Sequence, residues 1–150
     1  MLYRIAQGSL DAFRPRVIVL QIGVNNINAA GHTGEETYRG IVKVVEALRE
    51  RLPEATVLIA GPFPAGREPE GQVRQSVERV HELLAAHAFG ESVVYQNLAS
   101  SFVDENGAPL PTLRRDCIHI TDEGKAAWMD AIEPTLARLL DDVPVGTSGK

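Results

Sequence analysis

The chain has 150 residues, 44% of them hydrophobic and 23% charged, with a formal net charge of −5. That length fits one domain of ordinary size, able to bury a core without metal or disulfide staples. A single cysteine, Cys117, excludes an internal disulfide, and the acidic balance with scattered Lys and Arg argues against nucleic acid as partner. No apolar run approaches the roughly 18 residues of a membrane span, and Met1–Ile5 is not followed by the apolar stretch of a signal peptide. The compartment stays open: disulfide-free chains are more often cytoplasmic, and a signal peptide upstream of Met1 would leave no trace here.

In chain order, residues 2–13 read as a short helix ending before Arg14-Pro15. "RVIVLQIG", 16–23, is a near-continuous β-branched run, the pattern of a strand buried on both faces. Thr33 and Glu36 fit a capping box. The helix behind them carries an apolar stripe of Tyr38, Ile41, Val42, Val45, Leu48 and Leu52, and Pro53 marks its end. "ATVLIAG", 55–61, is a second buried strand, followed by a Pro/Gly-rich loop and a helix with Val73, Val77, Val80 and Leu84 on one face. "SVVYQNL", 92–98, is a third strand, and Asn106-Gly107 signals a turn. Thr121 caps a last helix, with Asp122 and Glu123 at its positive end and a stripe of Trp128, Ile132, Leu136 and Leu139. Pro134 is expected to kink or restart it. Strands alternating with helices define an α/β domain with a parallel sheet, spanning residues 1–140, with 141–150 a flexible tail.

Two segments carry candidate chemistry. The first strand ends in Gly23-Val24-Asn25-Asn26, where open parallel sheets bind ligands beyond their strands' carboxyl ends. There an Asn25 amide can donate to a developing oxyanion, and Gly23 lets the backbone turn closely; alternatively, the asparagines form only an Asx turn. In "RDCIHITDEG", Asp116 and His119 stand three apart just before a helix. Histidine is the usual general base near neutral pH, and an Asp within one turn can fix its tautomer. The bland alternative is a surface Asp beside a satisfied loop His. His81 and His87, six apart, lack the spacing of a shared metal site, and Glu78 with His81 is an isolated E-x-x-H. His32 is expected to be solvated and Cys117 to be a buried structural thiol. No phosphate-cradling glycine loop or C-x-x-C pair is present.

Taken together, "VIVLQIGVNN", "IAGPFPAGRE" and "DCIHITDEGKAAWMDAIEPTL" resemble, in order and spacing, the SGNH or GDSL-type hydrolases, in the branch of the platelet-activating-factor acetylhydrolase catalytic subunits. The resemblance covers about Met1 to Leu140. It implies a flavodoxin-like three-layer α/β/α sandwich and a serine esterase acting on small acyl, acetyl-like esters without metal or organic cofactor. It implies Asn25 as an oxyanion-hole donor supported by the Gly23 turn, and Asp116 and His119 as the last two members of a Ser-His-Asp triad. Phe63 and Pro64 become candidate pocket-wall residues.

One part of the pattern is missing. The family's nucleophilic serine lies in a G-D-S block after a first strand, and a second strand with a glycine block follows; both would precede the matched region. Gly8-Ser9-Leu10-Asp11 has the letters in the wrong order and place, Ser76 is mid-helix, and Ser92, Ser100 and Ser101 surround the third strand. The nucleophile is therefore unassigned. The expectation is the C-terminal portion of a longer esterase whose first strands lie upstream. The alternative is a catalytically inactive binding or assembly module that forms a homodimer through the exposed sheet edge.

Overall fold

The computed structural model of the chain describes residues 1–141, so the tail expected over 141–150 lies outside the described residues except for Asp141. The elements run α1 (Leu2–Ala6), β1 (Val17–Leu20), α2 (Val24–Asn28), α3 (Gly34–Arg51), β2 (Thr56–Ile59), α4 (Gln72–Ala86), β3 (Val93–Tyr95), a 3-10 turn (Ala99–Ser101) and α5 (Asp122–Asp141). The three strands form one parallel sheet in the order β1-β2-β3. Register pairs Val17 with Thr56 through Leu20 with Ile59, and Val57 with Val93 through Ile59 with Tyr95.

Strand alternation sorts the core into two layers. On one face, Leu20, Val57 and Ile59 pack with Ile41, Val45 and Leu48 of α3 and Val77, Val80 and Leu84 of α4. On the other, Leu58 and Ala60 pack with Phe102, Leu113 and Ile132 and Leu139 of α5. The result is an α/β/α sandwich with β2 buried on both sides, its Val57 and Leu58 fully so.

Several local expectations shift. The first helix stops at Ala6 rather than 13, because Gly8 takes φ +79 and turns follow it. Ile5 alone of that helix is buried, and α1 rests on α3. β1 is an edge strand among the described residues, with Val19 37% exposed; its apolar run does not mean burial on both faces. The capping box forms as read: Thr33 Oγ1 accepts from Glu36 N at 3.2 Å, and Glu36 Oε2 accepts from Thr33 N at 2.9 Å. In α3 the buried stripe takes in Val44 and Thr37, while Val42 is half-buried. α5 runs unbroken through Pro134, without the expected restart. Pro134 is exposed, as is Asp130, whose carbonyl would have received the missing N–H.

Candidate active site

Beyond the carboxyl end of β1, Gly23 starts α2 with φ +117. A Cβ there would stand 3.1 Å from Thr37 Cγ2 and 3.3 Å from Ile41 Cδ1, so both the backbone twist and the pressure of α3 require glycine. Ile27 is buried and anchors the short helix, while Asn25 is exposed. The Asn25 side chain makes no hydrogen bond among the described residues, so the Asx turn does not form. Instead Asn26 Nδ2 stands 3.3 Å from His32 Nδ1. Asn25 borders an open cleft of about 550 Å³, shared with Gln21, Ile22, Thr37, Ile41 and residues of α1. Gln21 Nε2 and Thr37 Oγ1 are buried there without a partner among the described residues.

The second segment is a closed loop before α5. Leu113 and Ile120 form an antiparallel bridge, and Arg114 N donates to His119 O at 2.7 Å. Cys117 turns the chain with φ +53, and its N donates to Arg114 O at 2.8 Å. It is 6% exposed, the buried thiol expected. Asp116 Oδ1 accepts from the backbone N–H groups of Ile118 and His119, each at 3.0 Å. Its Oδ2 lies 2.9 Å from His119 Nδ1. The His119 backbone N–H, then its ring N–H, then the Ile118 N–H hold the Asp116 carboxyl at about 2, below the ordinary 3.8. An ionised carboxylate only accepts, so Nδ1 carries a proton, and in the neutral ring it is Nε2 that holds the lone pair. The His119 side chain is 68% exposed and has no partner but Asp116 among the described residues. No serine hydroxyl reaches it there.

The loop's position is set from both sides. At the start of α5, Thr121 Oγ1 accepts from Gly124 N at 3.1 Å, and a Cβ on Gly124 would collide with Thr112 O. Beyond the carboxyl end of β2, Gly66 N donates to Cys117 O at 3.2 Å and Arg67 Nη2 to Arg115 O at 3.0 Å. Asn25 thus follows β1 directly, whereas the Asp116–His119 pair is tied to the strap that follows β2. The strap after β2 is itself pinned. His81, 7% exposed, donates from Nε2 to Pro62 O at 3.0 Å, so its Nδ1 accepts from Tyr95 OH at 2.6 Å. Burial pushes the His81 imidazole down and the Tyr95 phenol up to about 12. Phe63 stacks edge-on against Phe102 at 4.8 Å, and Pro64 is buried.

The remaining histidines are accounted for. His87 Nδ1 is 2.6 Å from Tyr38 OH, and His32 is exposed beside Asn26. No cluster of three or more His, Cys, Asp or Glu side chains suited to a metal occurs among the described residues, and no helix there is long and apolar enough to cross a membrane. Arg74, 1% exposed in α4, is a buried charge that the sequence alone does not single out. The available signal was its place: a charge next to Val73 on the face that carries Val77 and Val80.

Residues 1–127 match the GDSL-like Lipase/Acylhydrolase family model. The chain belongs to this family of hydrolases. Among its relatives, platelet-activating factor acetylhydrolase IB subunit alpha1 of Bos taurus is 31% identical over 141 residues, 93% of this chain and 59% of the relative. The alpha2 subunit of Rattus norvegicus is 29% identical over 145 residues, 96% of this chain and 62% of the relative. The chain therefore spans about three-fifths of the length of these relatives. A carbohydrate esterase family 3 structure from Talaromyces cellulolyticus superposes with a TM-score of 0.72 at 17% identity, covering 95% of this chain and 69% of that one. At that identity the likeness shows the fold, the flavodoxin-like α/β sandwich of SGNH hydrolases.

Proposed function

We propose that this chain is the C-terminal portion, over residues 1–140, of a GDSL-type serine esterase that hydrolyses small acyl esters. The observation that carries the reading is the Asp116–His119 contact, with Asp116 Oδ2 2.9 Å from Nδ1 and Nε2 left unoccupied. In this reading a serine outside the 150 residues attacks the ester carbonyl, and His119 Nε2 takes its proton. Asn25 Nδ2 donates to the oxyanion of the tetrahedral intermediate, and Gly23 sets the turn that presents it. The intermediate collapses, the alcohol leaves with the proton from His119, and water repeats the sequence to release the acid. Asp116 stays ionised throughout; it holds the tautomer and stabilises the imidazolium. No step needs a metal or organic cofactor. The acetyl preference is carried over from the named relatives.

The test is a series of p-nitrophenyl esters of increasing acyl length, offered to the polypeptide purified from its native source. The expected result is hydrolysis fastest for the acetyl ester and abolished by His119→Ala. Hydrolysis that survives His119→Ala, or that rises with acyl length, contradicts the reading.

A second reading is favoured by one observation: β1 pairs on one side only among the described residues, with Val19 exposed at that edge. In it the chain is a catalytically inactive module that associates through this edge with a second copy. Sedimentation of the purified 150-residue chain separates the two. A stable dimer without esterase activity favours the module, and a monomer removes it.

A further inference from the structure

Arg74 is the largest of the fully buried side chains, and no carboxylate lies within ion-pair distance of it among the described residues. Its guanidinium is instead occupied by carbonyls. Nε donates to Ala65 O at 3.0 Å, Nη2 to Gly66 O at 2.8 Å, and Nη1 to Gly107 O at 2.7 Å. Burial holds this guanidinium below its ordinary range, a sign of the desolvation it bears. A hydrophobic side chain would fill the same volume without that penalty. What it could not do is fix three carbonyls from two loops in one planar fork.

Those loops lead to the Asp116–His119 segment. Gly66, held through its carbonyl by Arg74, donates its own N–H to Cys117 O, and the next residue, Arg67, donates to Arg115 O. Both peptide neighbours of Asp116 are therefore tied to the strap that Arg74 grips. Gly107 lies at the tip of a hairpin closed by the Val103–Pro109 bridge, through which the chain enters the Asp116 loop. We propose that Arg74 is a positioning residue for the Asp116–His119 pair, acting through the Ala65–Gly66 strap and the Gly107 hairpin. The proposal rests on the reading of that pair as base and orienter, but its geometric claim can be tested without any ester.

The experiment is an NMR titration of the Asp116 carboxyl carbon in the purified 150-residue chain, wild type against Arg74→Gln and Arg74→Lys. Amide dispersion establishes that each variant is folded. Lysine keeps the charge but loses the fork, so both substitutions are informative. The expected result is a midpoint of about 2 in the wild type, moving up toward 3.8 in each folded variant as the N–H groups around Asp116 lose their aim. A role in stability alone would lower the unfolding midpoint and leave the Asp116 titration of the folded protein unmoved. A folded variant with Asp116 still at about 2 overturns the proposal, whatever ester hydrolysis does. If neither core variant folds, Arg67→Ala decides. It is exposed and cuts only the tie to Arg115, and an unmoved Asp116 then overturns the coupling. If Asp116 moves while ester hydrolysis is indifferent to His119→Ala, Arg74 still positions the loop and the catalytic reading of the pair fails.

Discussion

The Asn25 turn, which follows β1, and the Asp116–His119 loop, tied to the strap after β2, are held in different ways. The loop is determined from within: Asp116 accepts three N–H groups, Cys117 and Arg114 close the backbone, and Gly66 and Arg67 hold it from outside. The Asn25 turn is held by packing under it, through Gly23, Ile27 and α3; among the described residues its amide is unpaired, and the cleft beside it contains two buried groups without a partner. A base must be fixed before substrate arrives, because its tautomer and direction decide whether it can accept a proton. An oxyanion donor needs only a fixed backbone and a free N–H.

The largest effects are expected at the loop. If the protein hydrolyses esters as proposed, His119→Ala and Asp116→Asn are each expected to lower kcat roughly 10⁴-fold, read from progress curves with the acetyl ester. Asn25→Ala is expected to cost about 10²- to 10³-fold in kcat. Its unfolding midpoint should hardly move, since the side chain is exposed and unbonded. Gly124→Ala drives a Cβ into Thr112 O and should destabilise by roughly 1–3 kcal/mol in urea unfolding, loosening the loop where it meets α5.

Acid unfolding sharpens the same contrast. Asp116 is held at about 2 when folded against an ordinary 3.8, so its contribution is fully present above 3.8 and is lost as pH falls through about 2. Asp116→Asn should flatten the stability profile in that window, whereas Asn25→Ala should leave it unchanged. The smallest effect is at the other region. Thr37→Val removes a buried hydroxyl that has no partner among the described residues and should stabilise the 150-residue chain by roughly 1 kcal/mol. Destabilisation instead would mean that Thr37 has a partner in solution.

Much of this was legible in the sequence, for physical reasons specific to each element. The buried strand β2 and the helices α3 and α4 announce themselves through β-branched runs and 3.6-residue stripes. The Thr33–Glu36 box and the Thr121 cap are short-range hydrogen bonds, and both form where read. The D-x-x-H spacing suffices to bring Asp116 to His119, because the contact is local. What escaped is non-local. An apolar strand at an edge reads like one in the middle, so the exposure of Val19 was invisible. The early stop of α1 depends on Gly8 adopting φ +79, which composition permits but does not require. Arg74 escaped because its three acceptors come from residues 9, 8 and 33 positions away, brought together only by the fold.

The most direct measurement is fluorophosphonate labelling of the polypeptide purified from its native source, mapped by mass spectrometry beside a His119→Ala control. If His119 is the base of a serine nucleophile, one serine outside residues 1–150 is modified, and the modification disappears in the control. Modification of a serine within residues 1–141 that depends on His119, or labelling indifferent to His119→Ala, would contradict the assignment of the pair as the working end of a Ser-His-Asp triad.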